Sequence, residues 1–218
     1  MIVAVDGPAA SGKGTIAKAL AAHYRLPHLD TGLLYRAVAA TVRRRGLDPR
    51  READALAACD FDELALADPA LRDDAVGQLA SVVSAHAAVR AALLERQRRF
   101  AAQPDGAVLD GRDIGTVIAP DAAAKLFVTA SPEVRAARRH AEMAGRGDPT
   151  AYATVLADIR ARDERDMGRS AAPLVRAADA ALLDTSALTI EASVAAAVTL
   201  VEQAIAQRGS GPLGRGAT

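Results

Sequence analysis

Three stretches of this chain combine residue types and spacings that suit phosphate chemistry. The first is Gly7-Pro8-Ala9-Ala10-Ser11-Gly12-Lys13-Gly14-Thr15, with the Gly-x4-Gly-Lys spacing of a phosphate-binding P-loop. Glycines let the backbone turn sharply and approach an anion without a Cβ in the way. Successive N–H groups then form an anion nest at the positive end of the following helix. Lys13 adds a mobile charge for β- and γ-phosphates, and the hydroxyl of Thr15, or of Ser11, is placed for Mg²⁺. The second stretch is Asp110-Gly111-Arg112-Asp113. A carboxylate at a strand end beside a P-loop assists Mg²⁺, directly or through water. Asp113 suits an exocyclic amino group and Arg112 a phosphate; the alternative is that both aspartates serve the turn. The third is the charge-dense run from Asp158 to Arg169, in which Arg162, Asp166 and Arg169 are spaced by four and three. On a helix they share one face, either as a phosphate-binding set or as a salt-bridged surface.

These groups need elements to carry them. Ile2 to Val5 is a short β-branched run that reads as a buried parallel strand, followed by a helix to about His23. Leu26 to Leu29 reads as a second strand, Asp30-Thr31-Gly32 as a turn, and Leu33 to Arg45 as a helix stopped by Gly46. Glu52 to Cys59 suits a short helix, Phe61 to Ala67 a strand or coil, and Val76 to Phe100 one long helix or two joined ones. Ala107 to Asp110 and Lys125 to Thr129 are further strands, with a glycine-rich loop from Gly111 to Thr116. Ser131-Pro132-Glu133 starts a helix that ends near Met143; a break at Gly145 to Pro149 precedes another, Thr150 to Gly168. Arg135, Arg138 and Arg139 on the first of these, with Arg146 and the arginines from Arg160 to Arg169, bracket that break and fit either a lid that closes over ATP or an exposed surface. Ala181 to Asp184 is a final strand, and Thr189 caps a helix with Ile190, Val194, Val198, Val201 and Ile205 on one stripe. Strands alternating with crossover helices imply an α/β fold with a central parallel sheet wrapped by helices. The loops after the first three strands then share one edge, where such sheets bind ligands.

Composition narrows the classes. Lys plus Arg equals Asp plus Glu at 27 each over 218 residues, so nothing points to a general nucleic-acid or membrane surface. The single cysteine, Cys59, rules out an internal disulfide or a multi-cysteine zinc site. No apolar run reaches the length of a membrane span and no signal peptide is recognisable, so a cytoplasmic protein is expected. No heptad pattern is visible, and a monomer is expected. The chain has no asparagine, so the Asn-Lys-x-Asp motif by which GTPase-like proteins read guanine is absent.

Beyond these residue-level readings stands a resemblance. The GKGT ending of the P-loop is similar to that of nucleoside monophosphate kinases. Gly7 to Thr15, the segment from His28 to Arg36, Asp110 to Thr116, and Arg162 to Pro173 together resemble the bacterial cytidylate kinases over most of residues 1 to about 207. That resemblance implies ATP-dependent phosphorylation of CMP and dCMP to CDP and dCDP in pyrimidine nucleotide metabolism, with Mg²⁺. It implies a P-loop kinase domain over 1–208: a core of about 1–30, 104–138 and 170–208, a monophosphate-binding part of about 31–103, and a lid of about 139–169. Residues 209–218 are expected to form a flexible tail. By resemblance, Arg36 meets the acceptor phosphate, and Ser81 and Arg90 read the cytosine ring. Asp113 accepts from the cytosine amino group, Arg112, Arg162 and Arg169 meet phosphates, and Asp166 takes the ribose hydroxyls. Lys13, Arg112, Arg162 and Arg169 form the implied catalytic set, and Thr15 and Asp110 the implied metal ligands.

Two departures stand out. Thr31, an implied substrate contact, replaces a serine of many relatives and keeps the hydroxyl. Residues 60–75 leave little room for the small β insert that some relatives carry. The alternatives are a P-loop kinase for another small acceptor and a slow ATP-binding regulatory protein. The latter has no need of the set Arg36, Arg90, Arg112 and Asp113.

Overall fold

The computed structural model describes residues 1–209; the expected tail lies, from Ser210 on, outside the described residues. Five parallel strands form the centre: β1 (Ile2–Asp6), β2 (His28–Asp30), β3 (Ala107–Gly111), β4 (Ala124–Thr129) and β5 (Ala181–Asp184). They lie in the order β2-β3-β1-β4-β5, all pairs parallel. β1 is central because its Val3, Ala4 and Val5 are apolar on both faces, as a strand covered by helices on both sides requires. The chain leaves β1 for β2 on one side and later crosses to β4 on the other. The loop after β1 therefore sits where the strand order reverses, the usual ligand edge of such sheets.

Helix α1 (Lys13–Tyr24) and the last helix, α8 (Ile190–Gly209), cover one face of the sheet. Ile16, Leu20 and Val201 bury there against Val3, Val5 and Leu126. Each such side chain, fully buried, contributes about 1.5–3 kcal/mol. The stripe expected on α8 holds except at its start: Ile190 is 64% exposed at the sheet's ligand edge. No single helix among the described residues is long and apolar enough to cross a membrane.

The segment between β2 and β3 builds its own core. It comprises α2 (Thr31–Arg44), α3 (Glu52–Ala57), α4 (Asp74–Val83) and α5 (Ala87–Ala101), with two 3₁₀ turns, Glu63–Ala67 and Pro69–Arg72. Leu34, Val38, Leu71, Val76 and Leu93 pack together inside it. The expected strand or coil at Phe61 to Ala67 is corrected to a 3₁₀ turn, because Asp62 caps it by accepting from Leu64 N at 2.9 Å. Likewise Thr31 and Gly32 belong to α2 itself, which starts directly from the end of β2 rather than after a turn. The stretch Val76 to Phe100 is two helices meeting at a bend of 104°.

On the other side of β1, α6 (Pro132–Ala144) and α7 (Tyr152–Met167) form an antiparallel hairpin around Ala136, Met143, Val155 and Ile159. Ser131 caps α6 as expected, accepting from Val134 N at 3.3 Å. The break at 145–149 is present, and Gly147 turns it with φ +78°.

Candidate active site

The P-loop joins β1 to α1 with its helix end open. Gly12 stands at the N-cap of α1 with φ +88°, and no side chain caps that helix. The buried Ser11 Oγ has no hydrogen-bond partner among the described residues. An uncapped helix N-terminus inside a glycine-rich turn is a ready anion site. Gly7 is required by packing, since a Cβ there would run into the carbonyl oxygen of Val128 on β4. Lys13 Nζ folds back to Pro8 O at 3.4 Å. Loss of contact with water, then the nearby Arg112, push its ammonium down to about 8. Ala10 to Thr15 line a cleft of about 660 Å³, whereas Gly7, Pro8 and Ala9 support it from behind.

Thr185, one residue past β5, lies 3.0 Å from Ser11 O and accepts from Arg138 Nη1 at 3.0 Å. The P-loop, α6 and the exits of β4 and β5 are thereby joined around one hydroxyl. Arg135 is buried: it pairs bidentately with Asp163 of α7 at 2.6 and 3.0 Å, and donates to Ala9 O at 3.3 Å. It is thus the pin of the hairpin, while Arg138 and Arg139 line the cleft.

The second cleft lies on the β2–β3 side. It is narrow, about 50 Å³, and is lined by Thr31, Arg36, Arg90, Arg112 and Asp113 together with Arg162, Asp166 and Arg169. Arg90 pairs with Asp113 and stacks over Tyr35, its Cζ 5.4 Å from the ring centroid. Asp166, 1% exposed, takes Arg112 Nε at 2.8 Å and also pairs with Arg169. Burial would raise its carboxyl, but Arg112, Arg169 and Arg162 outweigh that and hold it at about 2. Ser81 does not line the cleft; it donates to Asp166 at 3.3 Å and accepts from Arg165 at 2.8 Å. Arg169 lies beyond the end of α7, so its meeting with Asp166 comes from the chain turning at Gly168, not from a shared helix face.

More cationic than anionic groups crowd this cleft. Arg162 is pushed down to about 9, by loss of water and then by Arg112. Arg162 Nε and Arg169 Nε and Nη1 are buried without a hydrogen-bond partner among the described residues. Arg36 reaches Leu71 O at 2.7 Å and Asp73 O at 3.0 Å, and it passes so close to α4 that a Cβ on Gly77 would sit 2.7 Å from its Nη2. Orphaned guanidinium N–H groups in a buried, charged slot suit an oxyanion.

Two buried carboxylates hold the floor. Asp110, at the end of β3, is hydrogen-bonded to His28, Oδ1 to Nε2 being 2.7 Å. Its other oxygen, Oδ2, lies 3.8 Å from where a Cβ on Gly14 would stand, beneath the P-loop. Asp6 accepts from Ile114 N and Gly115 N at 2.8 Å each, and so ties β1 to the π-helical turn Ile114–Ile118 that follows Asp113. Burial outweighs these bonds and raises the Asp6 carboxyl to about 6. For Mg²⁺ the candidate donors are oxygens only: Asp110 Oδ2 and the exposed Thr15 hydroxyl. Among the described residues no three His, Cys, Asp or Glu gather into a cage. An oxygen pair without a cage fits a cation carried mostly by substrate phosphates.

Sequence reasoning did not single out Asp6, His28, Gly77, Thr185 or Arg72. Only Asp6, directly before the P-loop, was within reach of a local motif. The others act through partners 35 or more residues away, as the separation of Arg36 from Leu71 illustrates.

A P-loop at the reversal point of a parallel five-stranded sheet, facing a second arginine-lined cleft, defines a P-loop kinase of the α/β class. A family model described as "Cytidylate kinase" matches residues 3–203, and the chain belongs to that family. A protein named "Cytidylate kinase" from Xanthobacter autotrophicus is 65% identical over 202 residues, covering 93% of this chain and 97% of its own. Proteins of the same name from Rhodopseudomonas palustris and Azorhizobium caulinodans are each 60% identical; they cover 95% and 94% of this chain and 99% of their own. Among solved structures, an uncharacterized protein from Eubacterium ventriosum shares the fold with a TM-score of 0.54 at 14% identity, covering 93% of this chain and 98% of its own.

Proposed function

We propose that the two clefts are the donor and acceptor halves of one phosphoryl-transfer site, and that the chain phosphorylates CMP and dCMP with ATP in pyrimidine nucleotide metabolism. Family membership supports the reaction. The observation that carries the two-substrate reading is the slot beside the P-loop with unpartnered N–H groups on Arg162 and Arg169.

In this reading the P-loop amides and Lys13 hold the donor phosphates, and Thr15 or Ser11 with Asp110 hold Mg²⁺. The metal, when bound, neutralises phosphate charge. The monophosphate oxygen is already an anion near neutral pH, so no general base is needed. The arginines' task is to bring two anions together and spread their charge. Arg36, Arg112, Arg162 and Arg169 meet phosphate, Thr31 adds a hydroxyl beside them, and Asp166 turns to the ribose. Arg90 and Asp113 read the base, with Ser81 acting behind them through Asp166: a carboxylate facing the 4-position accepts from an amino group and repels a carbonyl. The ion pairs of Asp113 with Arg90 and of Asp166 with Arg112 hold these side chains in position. Residues 31–103 serve as the monophosphate-binding part, about 139–169 as a lid that excludes water, and the rest as the core; a cytoplasmic monomer completes the reading.

The test is ADP production from ATP with CMP, dCMP, UMP, AMP and shikimate offered separately. Stimulation by CMP and dCMP is expected. Stimulation by another acceptor alone moves the chain to a different kinase reaction, and none at all leaves a slow ATP-binding protein.

A further inference from the structure

The donor cleft is walled by the P-loop, Asp30, α6 and the β5–α8 junction, with one exception. Arg72, the last residue of the 3₁₀ turn Pro69–Arg72, is the single lining residue that comes from the segment 31–103. It is exposed, and its side chain forms no hydrogen bond or ion pair among the described residues. Arg36 feels the repulsion of Arg139 and, more weakly, of Arg72, and the attraction of Asp30 on the same cleft wall. A guanidinium without a protein partner at a cleft mouth keeps its fork of donors open to an oxyanion.

The turn that carries it is held from both sides. Arg36 Nη1 donates to the two carbonyls that flank Arg72, Leu71 O at 2.7 Å and Asp73 O at 3.0 Å. On the donor side, Asp74 is ion-paired with Arg139 of α6. The acceptor-side arginine thus fixes the backbone on either side of a free cation at the donor cleft.

We propose that Arg72 is a catalytic residue, a guanidinium that the acceptor segment contributes to the terminal phosphate of the donor as that group passes between the two substrates. This rests on the two-cleft reading above. In the step, the bond from the terminal phosphorus to the bridging oxygen breaks, and its electron pair leaves with the nucleoside diphosphate. An oxygen of the acceptor monophosphate forms the new bond. Arg72 neither gives up nor takes a proton; it hydrogen-bonds the equatorial oxygens, where charge is spread in transit. Because Arg36 grips the Arg72 turn, an acceptor phosphate on Arg36 and a donor phosphate on Arg72 are sensed by one rigid unit.

The experiment compares Arg72→Ala and Arg72→Lys with the unaltered chain. It measures CMP turnover, calorimetric affinity for ADP with and without aluminium fluoride, and thermal melting. Removal of one such charge-stabilising donor lowers kcat by about 100-fold. In Arg72→Ala that loss is expected with KM for CMP within threefold of the unaltered chain, and fluoride no longer tightens ADP binding. Arg72→Lys recovers part of the turnover, and both variants melt with the parent. Turnover within threefold, equal fluoride-dependent affinities in the two chains, or a change confined to KM for CMP each overturn the proposal. If the unaltered chain does not turn over CMP, the functional reading fails, and the fluoride comparison alone decides on Arg72.

Discussion

Asp166 is shared by Arg112, Arg169 and Ser81, and each partner comes from a different part of the chain. Such a carboxylate orders its neighbours as much as it is ordered by them. Asp113 has a narrower environment, with Arg90 on it and Tyr35 behind Arg90. If it accepts from the 4-amino group, its loss removes a discriminating bond worth about 1–3 kcal/mol. Asp113→Ala is therefore expected to reduce kcat/KM for CMP several-fold more than for UMP, measured by steady-state kinetics on both. Equal losses would show that Asp113 does not read the base. Lys13→Ala removes the P-loop's only side-chain cation and is expected to lower kcat by two or more orders of magnitude. A near-parental rate would take the loop out of the mechanism. At this scale the P-loop and Asp110 to Asp113 were legible because their logic is local: nine consecutive residues, then four. Arg72 was not, since nothing in Leu71-Arg72-Asp73 distinguishes it from a surface arginine until the turn is docked against Arg36.

At the scale of elements, α4 and the β3 exit set the reach of the acceptor arginines. Gly77 leaves α4 bare where Arg36 crosses it, and a methyl group there would meet Nη2 at 2.7 Å. Gly77→Ala displaces Arg36 and is expected to raise KM for CMP about tenfold with KM for ATP unchanged, a loss of about 1.4 kcal/mol in acceptor binding. An unchanged KM for CMP would show that Arg36 is not held at the acceptor phosphate. The strands, the P-loop helix, the Ser131 cap and the α6–α7 break followed directly from apolar runs and cap residues. The region 61–72 did not: its 3₁₀ turns are made by Asp62 and Asp68 capping the backbone two residues on, and by Leu71 docking into the α2–α5 core. Neither feature has a period to detect.

For the whole molecule, two buried carboxylates pull the pH dependence of stability in opposite directions. Asp166 stands near 2 when folded, below its ordinary 3.8. It therefore stabilises the fold above pH 4, and about 2 kcal/mol is lost as pH falls towards 2. Asp6 stands near 6, above 3.8. The folded state then holds the extra proton between pH 4 and 6, so Asp6 costs about 3 kcal/mol above pH 6, and this cost is relieved as pH falls through that window. Urea denaturation of Asp6→Asn and the unaltered chain tests this: relative to the variant, the unaltered chain gains stability from pH 6 to 4. Parallel curves would show that Asp6 is not raised.

The hairpin of α6 and α7 is fastened to the rest of the protein at its base, where Arg135 holds Asp163 and Ala9. Mechanically it is a lever with its fulcrum at the back of the P-loop. Its arm, the 13 residues of α6, is about 20 Å long at 1.5 Å per residue. A tilt of about 15° at the fulcrum carries the Gly147 tip through about 5 Å. A lid swing of this kind would multiply, at the far end, small movements at the phosphates, and the contacts it would have to strain or release along the arm include Arg138–Thr185, Asp74–Arg139 and Gln78–Asp158.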